Sequence, residues 1–220
     1  MKIDMHIHSR YSPDSRMGLK EILKAAKKAG LSWIAITDHN SIEGSLSAAR
    51  ERVEGVRVLR GIEVSTSHGH ILGYGIGEGV RRDMTPEETV ERIRALGGVA
   101  SIAHPDRFWS GIGMARAEVL DADLIEAFNS RTSARGNRAA ERLAIKRRLP
   151  STAGSDAHGF EFIGKGVLMV EQETETEDEL IHLILHGDGK AGGEGRTLGG
   201  GLRYAAKCVR EWAGRGFKRI

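Results

Sequence analysis

Six short apolar runs in this chain each stop at a residue that can bind a cation or accept a proton. Residues 1–7 run into His8, 32–37 into Asp38 and His39, 56–62 into Glu63, 99–103 into His104, 123–128 into Asn129, and 151–155 into Asp156. The intervening stretches have helical spacing: Leu19, Ile22, Leu23 and Ala26 before Gly30, then residues 42–53, 85–97 and 135–148. A further strand is predicted around residues 68–76, another at 166–170, and a last helix from Thr176. Thr85-Pro86-Glu87-Glu88 and Thr176-Glu177-Asp178-Glu179 carry capping-box signatures, which fix two helix starts. Strand alternating with helix implies βα units on a largely parallel sheet. Seven or eight short strands in about 190 residues suit a closed barrel better than an open sheet. A barrel gathers its functional residues around one rim, at the carboxyl ends of the strands. An open sheet would place them mainly near a switch point.

The first strand sharpens this expectation. Residues two apart on a strand share a face, so His6 and His8 aim at one point. Neutral imidazole is a ligand for Zn²⁺, Fe²⁺ and Mn²⁺. Taken singly, each such residue has an ordinary structural use: a turn, a helix start, a satisfied core histidine. Gathered on one rim they need metal or substrate to neutralise them, because clustered buried charge is costly. His68-Gly69-His70 repeats the opening spacing, and His70 is preferred because it adjoins the strand core at Ile71. His182 and His186 are four apart on the last helix without a carboxylate companion, and read as surface or packing residues.

Composition limits the alternatives. The 220 residues, with 40% hydrophobic and 29% charged, describe one sizeable globular domain. No run reaches 18 apolar residues, and the start has no leader pattern, so a cytoplasmic protein away from membranes is expected. The single cysteine, Cys208, rules out an internal disulfide framework and a cysteine-based zinc module. The net charge of +3 is concentrated at the end, where residues 187–220 hold eight Lys or Arg against three Asp or Glu. Three segments follow: a metal-binding barrel over 1–186, a flexible Gly-rich linker over 187–201, and a basic amphipathic helix over 202–220. The terminal helix would dock on the barrel or a partner subunit, or meet a nucleic acid or anionic surface.

The ordered series His6-x-His8, Thr37-Asp38-His39, Gly61-Ile62-Glu63, His104-Pro105 and Gly154-Ser155-Asp156-Ala157-His158 resembles the polymerase and histidinol phosphatase (PHP) family. The resemblance spans residues 1–158 and extends to about 186. It implies a distorted (β/α)₇ TIM-like barrel, up to three metal ions and hydrolysis of phosphate esters. Carried over residue by residue, it implies a first metal on His6, His8, Glu63 and Asp156. A second would take bridging Glu63 with His70 and His104, and a third Asp14, His39 and His158. The expected cofactors are two or three divalent ions, zinc, manganese or iron.

Two metals about 3.5–4 Å apart stabilise both the attacking and the leaving oxygen of a phosphoester, with a bridging hydroxide as nucleophile. Glu63 would bridge, and Asp156 or His158 would handle the leaving-group proton. Arg107 and Arg131, with Arg10 as a third candidate, would clamp phosphate oxygens or lie as ordinary surface arginines. The expected substrate is a small phosphomonoester, a nucleotide or a short oligonucleotide. Histidinol-phosphate hydrolysis, amidohydrolase-type C–N cleavage and a non-catalytic module binding RNA or protein are the rival readings.

Overall fold

The computed structural model describes residues 1–51 and 53–195. The chain opens with β1 (Lys2–Ile7), α1 (Leu19–Lys28), β2 (Trp33–Ile36), α2 (Glu43–Arg50) and β3 (Arg57–Thr66). It continues through β4 (Gly69–Tyr74), α3 (Pro86–Ala95), β5 (Val99–Ile102), α4 (Met114–Val119) and β6 (Leu124–Asn129). α5 (Ala134–Arg147), β7 (Ser151–Gly154), β8 (Gly166–Val170), α6 (Glu177–Leu185) and β9 (Gly189–Gly193) follow among the described residues. Both capping boxes form: Thr85 and Thr176 accept from the backbones of Glu88 and Glu179, whose carboxylates reach back. α1 buries Leu19, Ile22, Leu23 and Ala26, the face its spacing prescribed.

The nine strands form one sheet in the order β7-β6-β5-β4-β3-β2-β1-β8-β9. It curls until it nearly closes. Ile7 bridges to Ala157 just beyond β7, and the His8 amide donates to the Ala157 carbonyl at 3.0 Å. Gly154 makes this approach feasible, because a β-carbon there would sit 2.2 Å from that of His6. The expected TIM-like barrel is therefore present, with two departures. β4 runs antiparallel to both β3 and β5, and β8 antiparallel to β1. A two-residue turn, Ser67-His68, separates β3 from β4, too short for the helical crossover that a parallel pair needs. Reversal puts the start of β4, with His70, at the same rim as the carboxyl ends of its parallel neighbours.

Three apolar clusters hold the barrel. One lies between α1, α2 and the outer face of β1 and β2 (Ile22, Leu23, Ile34, Ile36), and another beneath α3, α4 and α5 (Ile62, Val64, Ile93, Leu143). The third fills the barrel: Leu72 stands opposite Glu63 in the antiparallel ladder, hence on its face, with Trp33, Ala35, Leu59, Tyr74 and Leu168. Part of the expected linker is sheet. Residues 189–193 pair antiparallel with β8 from Gly166↔Gly193 to Val170↔Gly189, because glycine lets the backbones approach closely at this edge. The expected terminal helix, with the remainder of the linker from residue 196, lies outside the described residues.

Candidate metal centre

All nine expected ligands meet at one rim. Glu63, at 1% exposure, lies at the centre, and its two oxygens face different partners. Oε1 is 2.8 Å from His70 Nδ1 and 3.0 Å from His104 Nε2. Oε2 is 3.2 Å from both His6 Nε2 and His8 Nε2, which are themselves 3.1 Å apart. Asp156 Oδ1 stands 3.5 Å from His8 Nε2 and 4.0 Å from His6 Nε2. Asp14 Oδ2 accepts His158 Nε2 at 2.6 Å and stands 3.6 Å from His39 Nε2. Four groups draw their ligating atoms within 4.8 Å of one another: His8-Asp14-His39-His158, His6-His104-Asp156, His6-His8-Glu63 and His39-Glu63-His70. His68 is exposed, hydrogen-bonded to Ser67, so His70 is the histidine that the hairpin presents to the cluster.

The local backbone serves this convergence. A bulge in β1 between Asp4 and Ile7 adds one residue relative to β2, so strict alternation fails. Met5 packs with the interior cluster, Ile7 with the α1 layer, and both His6 and His8 turn to the site. His104 and Asp156, each the second residue beyond β5 and β7, have φ of +26° and +51°, in a region that ordinary side chains avoid. His104 is held there by its amide, which donates to Glu126 Oε2 at 2.9 Å.

A family model described as PHP-associated matches residues 134–188. The chain is 40% identical over 144 residues to the uncharacterized protein MJ1587 of Methanocaldococcus jannaschii, covering 59% of this chain and 82% of that one. A two-domain Bacteroides vulgatus protein containing a PHP-like metal-dependent phosphoesterase superposes with a TM-score of 0.65 at 15% identity, over 88% of this chain and 65% of that chain. The chain belongs to the PHP family. It is also 42% identical over 84 residues, 34% of its length, to the phosphoribosyl 1,2-cyclic phosphate 1,2-diphosphodiesterase of Eggerthella lenta. That match spans only 31% of the Eggerthella enzyme.

The donor set of this PHP site fits divalent cations. Two imidazole nitrogens 3.1 Å apart, both facing one carboxylate oxygen, need something positive between them, a proton or a metal ion. In addition, Nδ1 of His8 and His104 are buried without a hydrogen-bond partner among the described residues, and Nδ1 of His39 stands 3.3 Å from Glu63 Oε2. In the metal-free protein, protons do part of this work. Burial pulls the His8 imidazole down, but hydrogen bonds to Asp156 and Glu63 push it up to about 9; surrounding carboxylates likewise raise His6 well above its ordinary value. Burial drives His104 and His158 down to about 4, helped by Arg107 and Arg131 respectively, so both are neutral. Burial raises Glu63, yet its imidazole neighbours hold it well below the usual carboxylate range.

The arginines divide. Arg107 Nη1 donates to Asp156 Oδ2 at 2.6 Å, and Arg131 Nη1 to Asp156 Oδ1 at 2.7 Å and toward His158. Against the cost of burial, these two cations keep Asp156 well below its ordinary range. Arg107 Nη2 is buried with no hydrogen-bond partner among the described residues. Arg10 is different: it is exposed and stacks over Tyr11, with its guanidinium carbon 5.8 Å from the ring centre.

Sequence reasoning did not pick out Glu126 or Asp4. Glu126 is fully buried, accepts from His6 Nδ1 at 2.9 Å and from Asn129 Nδ2 with both oxygens, and receives the His104 amide. It fixes the His6 tautomer so that the Nε2 lone pair faces the cluster. The available signal was a carboxylate inside Leu124-Ile125-Glu126-Ala127-Phe128, an otherwise apolar strand where a charge must be paired. Asp4 accepts the amides of His6, Ser155 and Gly164, tying β1 to the segments around β7 and β8; burial pushes its carboxyl up to about 6 despite these donors. His182 on α6 and His186 at its C-cap bring their rings together, both exposed, with no link to the cluster among the described contacts.

Proposed function

We propose that this PHP protein hydrolyses a small phosphate ester with two or three divalent ions, zinc, manganese or iron, held by the rim cluster. The arrangement around Glu63 carries the reading: one buried carboxylate presents separate oxygens to two separate histidine sets, the geometry of a bridging ligand. His6, His8 and Asp156 would complete one ion's shell, His70 and His104 a second, and Asp14, His39 and His158 a third. Bound divalent ions would supply water activation and charge neutralisation at the phosphorus centre.

The chain's own side chains do the rest. Arg107 and Arg131 already converge on Asp156, and Arg107 Nη2 has donor capacity to spare for a phosphate oxygen. Of the two residues expected to manage the leaving-group proton, His158 would take the role, its ring nitrogens lying between Asp14 Oδ2 at 2.6 Å and Arg131 Nη1 at 2.7 Å. Asp156 is held ionised and acts as an acceptor. Arg10 has no such placement, and we leave it out of the phosphate clamp. A non-catalytic binding module would have no use for nine converging ligands.

The test is direct. The purified protein is analysed for bound metal and assayed with an aryl phosphate monoester and its diester, with Mn²⁺ or Zn²⁺ added. Bound metal and turnover of one ester are expected. No metal and no turnover of either would overturn the reading, while the monoester-to-diester ratio identifies the bond cleaved.

A further inference from the structure

Asn129 ends an apolar run just as the proposed ligands do, yet it belongs to none of the three ligand sets. Its side chain is instead a junction between them. Asn129 closes β6 and is 1% exposed. Nδ2 carries two hydrogens and faces three carboxylate oxygens: Glu126 Oε1 at 3.2 Å, Glu126 Oε2 at 3.1 Å and Asp156 Oδ2 at 3.3 Å. At the other end of the amide, Oδ1 accepts the Arg131 N–H at 2.9 Å. These neighbours fix which way the group points. Turned over, its oxygen would meet three carboxylate oxygens and its nitrogen an N–H. The backbone is clasped as well: Asn137, reaching from α5, accepts the Asn129 amide with Oδ1 and donates to the Asn129 carbonyl with Nδ2, both at 3.1 Å.

We propose that Asn129 is a positioning residue that aims Asp156 and Glu126 at one metal site and seats Arg131 for the phosphate. The proposal rests on the phosphoesterase reading above and names the part that joins its metal shell to its phosphate clamp. The two carboxylates that share Nδ2 serve the same proposed ion, Asp156 directly and Glu126 from behind His6. The amide between them offsets the repulsion of two buried anions. It also sorts the oxygens of Asp156. Oδ2 is tied to Asn129 and Arg107, and Oδ1 is turned toward Nε2 of His8 and His6, at 3.5 and 4.0 Å. The Oδ1 end of Asn129 holds the backbone of Arg131, whose guanidinium returns to Asp156 Oδ1 at 2.7 Å. An aspartate at position 129 would keep an oxygen for the Arg131 amide and lose the donor to the carboxylates. An alanine would lose both.

The experiment separates the two ends of the amide. The full chain, Asn129→Asp and Asn129→Ala are stripped of metal, titrated with Mn²⁺ by calorimetry, and assayed with an aryl phosphate over a range of Mn²⁺ and ester concentrations. In Asn129→Asp, Mn²⁺ affinity should weaken about 10- to 100-fold, while KM for the ester at saturating Mn²⁺ stays within about twofold of the natural value. Asn129→Ala should show the same loss of Mn²⁺ affinity and, in addition, a KM raised about tenfold. Unchanged Mn²⁺ affinity in both variants would overturn the proposal. So would a KM that rises equally in both, or variants that melt early with neither constant moved, the mark of a residue needed only for folding. If the natural protein turns over no ester, the phosphoesterase reading fails separately. Calorimetric Mn²⁺ binding to the three proteins still decides the positioning role, equal affinities overturning it.

Discussion

The interior of this barrel has two storeys built from the same strands. Along β3 the inward positions pass from Leu59 through Gly61 to Glu63, and in β4 Leu72 and Tyr74 lie below His70. The lower storey is close-packed and apolar: Trp33, Ala35, Leu59, Leu72, Tyr74 and Leu168 are all buried, with the Tyr74 hydroxyl donating to the Met5 carbonyl at 2.9 Å. The upper storey is as buried but holds His6, His8, His39, Glu63, His104, Glu126 and Asp156. The difference separates two kinds of cost. Below, burial of carbon stabilises the fold. Above, burial of charge destabilises it unless protons, arginines or metal ions compensate, and the strained backbone at His104 and Asp156 adds to that cost. The lower storey makes the upper one possible.

Substitutions can break the contrast. Glu63→Gln keeps the shape and removes the charge facing both histidine sets. Turnover should fall by about a thousandfold or more, and metal content measured on the purified protein should drop. Retention of full metal content would remove Glu63 from the centre. Leu72→Ala should do the reverse, costing about 2–5 kcal/mol in denaturant unfolding while the folded protein keeps its metal affinity. A large loss of affinity there would show that the storeys are not separable.

Acidity gives a third handle. His8 is raised from 6.5 to about 9, so its contribution to the metal-free protein is complete below pH 6.5 and is lost as pH rises through 9. Chelator-treated protein should therefore lose roughly 3 kcal/mol of stability over that interval, seen as a falling melting temperature. Metal replaces the proton, so saturating Zn²⁺ or Mn²⁺ should flatten the fall and its binding should release protons. A flat profile without metal would mean that His8 is neutral there. The smallest effect is expected from Glu126→Gln, which keeps the contact to His6 but removes the charge behind it. Metal affinity by titration calorimetry should weaken about 10- to 100-fold with the fold intact.

Much of the upper storey was legible because its chemistry is written at strand ends: His8, His39, Glu63, His104 and Asp156 each follow an apolar run, and the structure brings all of them to one rim. The helix starts at Thr85 and Thr176 were legible because capping is a local interaction. What escaped depends on contacts between distant segments. The reversal of β4 follows from a two-residue turn that sequence spacing alone left ambiguous. β9 pairs a glycine-rich segment that reads as linker when its partner β8 is out of view. Met114–Val119 is a short helix with only Ala117 buried, so its apolar periodicity was too weak to register. Glu126 looks like one polar position in an apolar strand until His6, 120 residues away, supplies its partner.

The bulge in β1 changes which kinds of genetic change this protein tolerates. A strand reads its faces in steps of two, and the extra residue between Asp4 and Ile7 resets that phase just before the metal-facing histidines. Conservative exchange at Met5 or Ile7 leaves the phase alone. Loss of the Met5 codon would keep both histidines and their spacing, yet turn them out of the site together with everything the rim was assembled to do. In this segment length is a functional property in its own right, and a descendant with an identical set of ligands and one residue fewer would be expected to fold around an empty promise of chemistry.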